Sequence, residues 1–168
     1  MNTRPIIDLP KTALERWLDV TSWLFVTLAF AIALSNYSAL PQTIPTHFNA
    51  SGVADDYGSK NTIFLLPVLS FLVVGLTSIL SRFPHRFNYL TTITPENAAT
   101  EYLKMRKFLR FINVFISLLM LWLTWSVVQS ALTQSSTLGK SVIFLLVGPV
   151  VGVPFFIWYL SRKPDVKR

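Results

Sequence analysis

No charged side chain occurs between Val20 and His47, between Asn61 and Ser81, between Phe111 and Gln134, or between Ser141 and Ser161. These four runs constrain the fold more than anything else in the chain. A hydrocarbon layer about 30 Å thick is crossed by about 20 apolar residues at a helical rise of about 1.5 Å each. Transmembrane helices are therefore predicted near Trp17–Leu40, Thr62–Ser81, Phe108–Leu132 and Ser141–Leu160. A water-soluble fold would have to bury all four runs, and 168 residues leave too little polar sequence to wrap them. The expected fold class is all-α membrane protein, a single domain over 1–168 with four helices and an ordered outward loop between the first two.

The formal charge of +7 would point to nucleic acid if the basic residues shared one soluble face. They sit instead at the ends of the apolar runs. Arg4, Lys11 and Arg16 precede the first, Arg82, Arg86, Lys104, Arg106, Lys107 and Arg110 fill the second connection, and Arg162, Lys163, Lys167 and Arg168 form the tail. Lys60 and Lys140 fall on the opposite side, a division of thirteen against two. By the positive-inside rule both termini and the second connection are cytoplasmic and the 40–60 loop faces outward. The expected location is the bacterial inner (cytoplasmic) membrane, and no nucleic-acid partner is expected.

A cleaved secretory signal ending near Ala33-Leu34-Ser35 fits less well, because the leader carries Asp8, Glu15 and Asp19 and the run exceeds a signal's apolar stretch. Cysteine is absent, which removes disulfides, thiolate metal sites and cysteine nucleophiles together. Residues Asp8–Asp19 read as an interfacial helix with Leu14, Trp17 and Leu18 on one face and Lys11, Glu15 and Asp19 on another. Thr94-Pro95-Glu96 reads as a helix start, with Thr94 as N-cap and Pro95 in the first turn. The basic turn beyond it, Lys104, Arg106, Lys107 and Arg110, suits anionic lipid headgroups as well as simple orientation charge. In the fourth run Gly148 and Gly152 form a small-xxx-small face and Pro149 and Pro154 bend the helix. No acid, base or histidine lies at membrane depth there, which argues against a transporter.

Chemistry collects in Leu40–Lys60, LPQTIPTHFNASGVADDYGSK. Pro41 and Pro45 stop the first helix, Ile44, Thr46 and Phe48 alternate as in a strand, and Asn49-Ala50-Ser51-Gly52 is a turn signal, together predicting a small hairpin. Gly58 reads as a break before the second span and Ser59 as its N-cap. Three accounts of the polar residues stay open. In the first, His47 and Asn49 tie the loop together while Asp55 or Asp56 pairs with Lys60. In the second the loop recognises a peptide or envelope protein. In the third His47, Asp55 and Asp56 hold a metal, although zinc takes three or four convergent ligands. Asn49-Ala50-Ser51 also fits the glycosylation sequon, a pattern too short to weigh much.

Leu40-Pro41, the run Ile44-Pro45-Thr46-His47-Phe48-Asn49, then Gly52, Asp55 and Gly58-Ser59-Lys60 resemble the bacterial membrane family called domain of unknown function 1648. Phe83-Pro84-His85-Arg86-Phe87-Asn88-Tyr89 and Ile93-Thr94-Pro95-Glu96-Asn97-Ala98 look like that family's second connection. The same unit forms the front half of immunity proteins against a sporulation-delaying toxin, which continue with further transmembrane segments. This chain departs from the pattern at Asp56, where glycine is frequent, and at Val53, where an acid is common. The resemblance implies a membrane bundle with the loop motif Pro45, Thr46, His47, Phe48, Asn49, Gly52, Asp55, Gly58, Ser59 and Lys60. It also implies a non-enzymatic, envelope or immunity-like signalling role without a cofactor. The alternative is a metal-binding protein or metal-dependent membrane enzyme that uses the loop.

Overall fold

The computed structural model describes residues 4–135, 137, 151–155 and 157–158. Helix α1 covers Ala13–Asn36, α2 covers Leu65–Leu80 and α3 covers Ala98–Thr133. Strands β1 (Thr43–Phe48) and β2 (Ala54–Ser59) form an antiparallel hairpin between α1 and α2. A 3-10 turn over Lys60–Phe64 leads directly into α2. Among the described residues three helices are long and apolar enough to cross a membrane, the second counted from Lys60 to Leu80. The fourth predicted span, Ser141–Leu160 with Gly148 and Pro149, lies mostly outside the described residues, of which 151–155 are helical.

The helices meet through small and polar side chains rather than large apolar ones. On α1 the buried residues are Glu15, Ser22, Val26, Ala29 and Ala33, a heptad-like stripe. On α3 the matching stripe runs through Tyr102, Arg106, Arg110, Asn113, Ser117, Thr124, Val128 and Ala131. Large apolar side chains such as Leu65, Leu69, Phe71, Leu72, Leu76 and Ile79 point outward from α2. In water such a surface would aggregate. Among acyl chains, which are as apolar as leucine, helices instead associate by close approach at small residues and by interhelical hydrogen bonds. The Thr77 hydroxyl meets Asn113 Oδ1 at 2.7 Å and ties α2 to α3 in this way.

One end of the bundle carries an ion cluster. Glu15 is fully buried, and its carboxylate accepts from Arg106 Nε at 2.8 Å and lies 3.2 Å from Arg110 Nη1. Asp19 sits 3.1 Å from Arg110 Nε and 2.8 Å from Lys11 Nζ. Glu15 also closes a capping box with Thr12, so the same carboxylate starts α1 and fastens it to α3. One N–H of each of two guanidinium groups and the Thr12 backbone N–H thus surround this buried carboxylate.

Around that cluster the N-terminal residues form a strap rather than the interfacial helix expected over Asp8–Asp19. The chain has no regular secondary structure up to Thr12, whose side chain caps α1, and the helix then runs unbroken to Asn36. Arg4 Nη1 donates to the carbonyls of His85 and Phe87, and its guanidinium lies 5.5 Å from the centre of the Tyr89 ring. Tyr102 donates to the Pro5 carbonyl at 3.0 Å, and Arg106 Nη1 to that of Leu9 at 2.7 Å. Ile7, Leu9 and Tyr89 pack over Ile93, Ala98 and Tyr102. The helix start expected at Thr94 is displaced by one turn. Thr94-Pro95-Glu96-Asn97 forms a turn of its own, and α3 begins at Ala98 with Asn97 as cap residue.

Candidate functional site

The hairpin is held at the other end of the bundle. After α1, Leu40 N donates to the Asn36 carbonyl and Leu40 turns inward, joining Ile44, Ile63, Ala33, Val127, Val128 and Ala131 in a core cluster. Pro41 and Pro45 flank Ile44, the fully buried residue that anchors β1. The register pairs Thr43 with Ser59, Ile44 with Gly58, Pro45 with Tyr57, His47 with Asp56 and Phe48 with Ala54. It slips between Pro45 and His47 and again between His47 and Phe48. Proline cannot donate to the ladder and is tolerated beside such an irregularity.

Asn49 builds the turn. Its Oδ1 accepts from Ser51 N at 2.9 Å and Val53 N at 3.0 Å, and its own N–H donates to the Val53 carbonyl at 2.8 Å. Gly52 takes φ 73°, where a Cβ would be strained. Gly58 does not break the chain as expected. It lies within β2 opposite Ile44, and a Cβ there would come 2.9 Å from Thr46 Cγ2, so the Thr46 methyl would have to give way to any side chain. Ser59 does cap the 3-10 turn that leads into α2, its hydroxyl accepting from Asn61 N at 3.3 Å.

The expected pairing of an aspartate with Lys60 is replaced by two other contacts. Lys60 Nζ sits 4.6 Å above the Tyr37 ring and donates to the Tyr37 carbonyl at 3.4 Å, closing the base of the hairpin onto α1. Asp55 pairs with His47, its Oδ1 lying 2.5 Å from Nδ1. Both side chains stand in solvent, 67% and 44% exposed for His47 and Asp55. Asp56 faces His47 in register but accepts from Tyr57 N at 2.8 Å. Among the described residues no three histidine, aspartate or glutamate side chains converge.

The hairpin also meets the end of α3. Val53 bridges to Thr137, and Gln134 ends the helix in the left-handed region at φ 54°. A cleft of about 250 Å³ separates β1 and β2 from this corner, lined by Pro41, Thr43, Pro45, Tyr57, Gln134 and Ser135. The loop thus has two sides. Leu40 and Ile44 face the bundle, Pro45 and the half-exposed Tyr57 line the cleft, and His47, Asp55 and Asp56 are presented outward on ordered strands.

Of the four cations expected on the lipid-facing turn, Arg106 and Arg110 turn inward, and Lys104 pairs with Glu101 at 2.9 Å. The Glu15–Arg106–Arg110–Asp19 cluster is absent from the expectations drawn from sequence. Its signal there is an acid pair and an arginine pair, each spaced by four residues on a helix.

This arrangement defines a multi-pass membrane protein whose first two spans are joined by an ordered hairpin. Residues 24–71 match the family described as "Domain of unknown function (DUF1648)". That window runs from the middle of α1 through the hairpin into α2, so the resemblance carried by the loop residues holds there. An "Uncharacterized protein" of Archaeoglobus fulgidus is 24% identical over 170 residues, covering 93% of this chain and 88% of the relative. No solved structure matches.

Proposed function

We propose that this chain is a non-enzymatic protein of the bacterial cytoplasmic membrane. It works as one unit with both termini inside, and its hairpin presents a recognition surface to an extracytoplasmic peptide or envelope protein. The observation that carries this reading is the two-sidedness of the hairpin. A loop that served only to join two helices would have no need of an exposed histidine, two aspartates and a tyrosine on a rigid, core-anchored strand pair. The resemblance to the unit found in toxin-immunity proteins favours a signalling or immunity-like role over transport. The cation division of thirteen against two supports the orientation.

Two experiments test it. Single cysteines at Ser51 and Thr100, both exposed, should label from opposite sides with an impermeant thiol reagent. Labelling of both from outside would reverse the orientation. A photocrosslinking residue at Tyr57 should give one discrete adduct in intact cells that is lost when Asp55 and Asp56 are changed to alanine. No adduct, or one indifferent to those changes, would count against recognition.

The second reading is a metal site, favoured by the His47–Asp55 contact, which leaves Nε2 without a partner among the described residues. It is the weaker reading, because only these two side chains meet and Asp56 is engaged with its own strand.

A further inference from the structure

We propose that the ion-cluster end of the bundle contains a binding site for a phosphate group. A cavity of about 170 Å³ opens between the N-terminal strap, the end of α2 and the lower part of α3. Lys11, Arg82, Arg106 and Arg110 line it together with Asp8 and Ser81. Four cationic side chains and one exposed carboxylate thus share a small concave surface. Glu15 and Asp19 hold the two buried arginines, and Asp19 also pairs with Lys11 at 2.8 Å, but neither acid is part of the lining.

Three observations point to an oxyanion. Arg110 is only 4% exposed, and its Nε, although 3.1 Å from an Asp19 oxygen, makes no hydrogen bond to it or to any other described group. A buried N–H left unmade is costly, and a phosphate oxygen would satisfy it. Arg82 lines the cavity, is exposed, and has no side-chain partner among the described residues. Arg106 is fixed by Glu15 and the Leu9 carbonyl, so little side-chain entropy is lost when a ligand arrives. Guanidinium forks match phosphate oxygens in geometry as well as charge.

The cavity's height narrows the source. Ser81 and Arg82 follow the last residue of α2, and Arg110 immediately precedes the charge-free part of α3, so the site lies where headgroup phosphates lie. The shared chemistry is a phosphate oxyanion, and a phospholipid and a free phosphate are its two sources.

The full-length protein would be purified in a neutral detergent and offered phosphatidylglycerol, phosphatidylcholine or inorganic phosphate at constant ionic strength. Readouts are lipid retention by mass spectrometry and melting temperature. A lipid site predicts retention of phosphatidylglycerol over phosphatidylcholine, and a free-phosphate site predicts a melting temperature that rises with phosphate alone. In either case Arg82→Gln and Lys11→Gln should each raise the half-saturating concentration about tenfold, the loss of one charge-assisted contact. Lys107→Gln, outside the cavity, should leave it unchanged. Arg82 supports no other side chain described, so its variant should fold, and its unliganded melting temperature checks this. The proposal is overturned if neither ligand class binds, or if Lys107→Gln weakens binding as much as Arg82→Gln, which would mark a diffuse surface field.

Discussion

Glu15 and Arg106 are 91 residues apart in the chain and 2.8 Å apart in the fold, with Glu15 wholly shielded from solvent. Removing one member of such a pair leaves the other charged and uncompensated. Glu15→Gln should therefore lower stability by about 3–5 kcal/mol. Asp19→Asn should cost less, because Asp19 keeps 18% of its side-chain surface in solvent. Equilibrium unfolding in mixed micelles measures both. Equal losses would mean that the cluster acts as diffuse charge rather than through the buried carboxylate.

Within the hairpin, Asn49 should matter more than His47. Asn49→Ala removes the acceptor of two exposed backbone N–H groups and should cost about 1 kcal/mol. The His47–Asp55 pair is largely solvated, so His47→Ala should cost about 0–1 kcal/mol in metal-free buffer. A melting temperature that rises with zinc in the parent protein and not in His47→Ala would move the balance to the metal reading, since a ligand stabilises only through its occupancy.

Gly58 provides a test of the strand approach. Gly58→Ala should destabilise by about 1–3 kcal/mol through its contact with Thr46 Cγ2. The Thr46→Ser change removes that methyl and should recover most of the loss in the double variant. Simple additivity of the two changes would show that the methyl is not the obstacle.

Tyr89 should make stability depend on alkaline pH. Burial holds its phenol well above the ordinary range, with Tyr102 adding to the effect and Arg4 opposing it. The folded state therefore keeps the proton when the unfolded chain releases it. That contribution is full below about pH 10 and fades above it. Tyr89→Phe should flatten the fall of melting temperature at high pH, and at neutral pH should cost about 1 kcal/mol for the lost bond to the Pro84 carbonyl. An unchanged alkaline slope would assign the effect to another group.

Three helices and the hairpin are legible in the sequence because their signals are local: absence of charge over a membrane's width, alternation at Ile44, Thr46 and Phe48, and a turn at Asn49–Gly52. Where a residue's partner lies far along the chain, local patterns mislead. Lys60 reads as the partner of a neighbouring aspartate, whereas a tyrosine 23 residues earlier takes it. Arg106 and Arg110 read as headgroup cations because nothing near them in sequence is acidic on the same face. Their carboxylates belong to another helix. Gly58 reads as a point of conformational freedom, but the constraint is a neighbour's methyl group across the strand pair.

The strap over the charged end imposes an order on biogenesis. The carbonyls of Pro5 and Leu9 are taken by Tyr102 and Arg106, residues synthesised roughly a hundred positions later. Until α3 has been inserted, the strap has only the 81–89 segment to lie on, and Arg106 and Arg110 are not yet there to pair with Glu15. The first two spans therefore enter the bilayer as a loosely associated pair, with Glu15 and Asp19 of the first still reaching water, and the third locks them. Residues of the strap are thus made well before α3 but find their final place only with it.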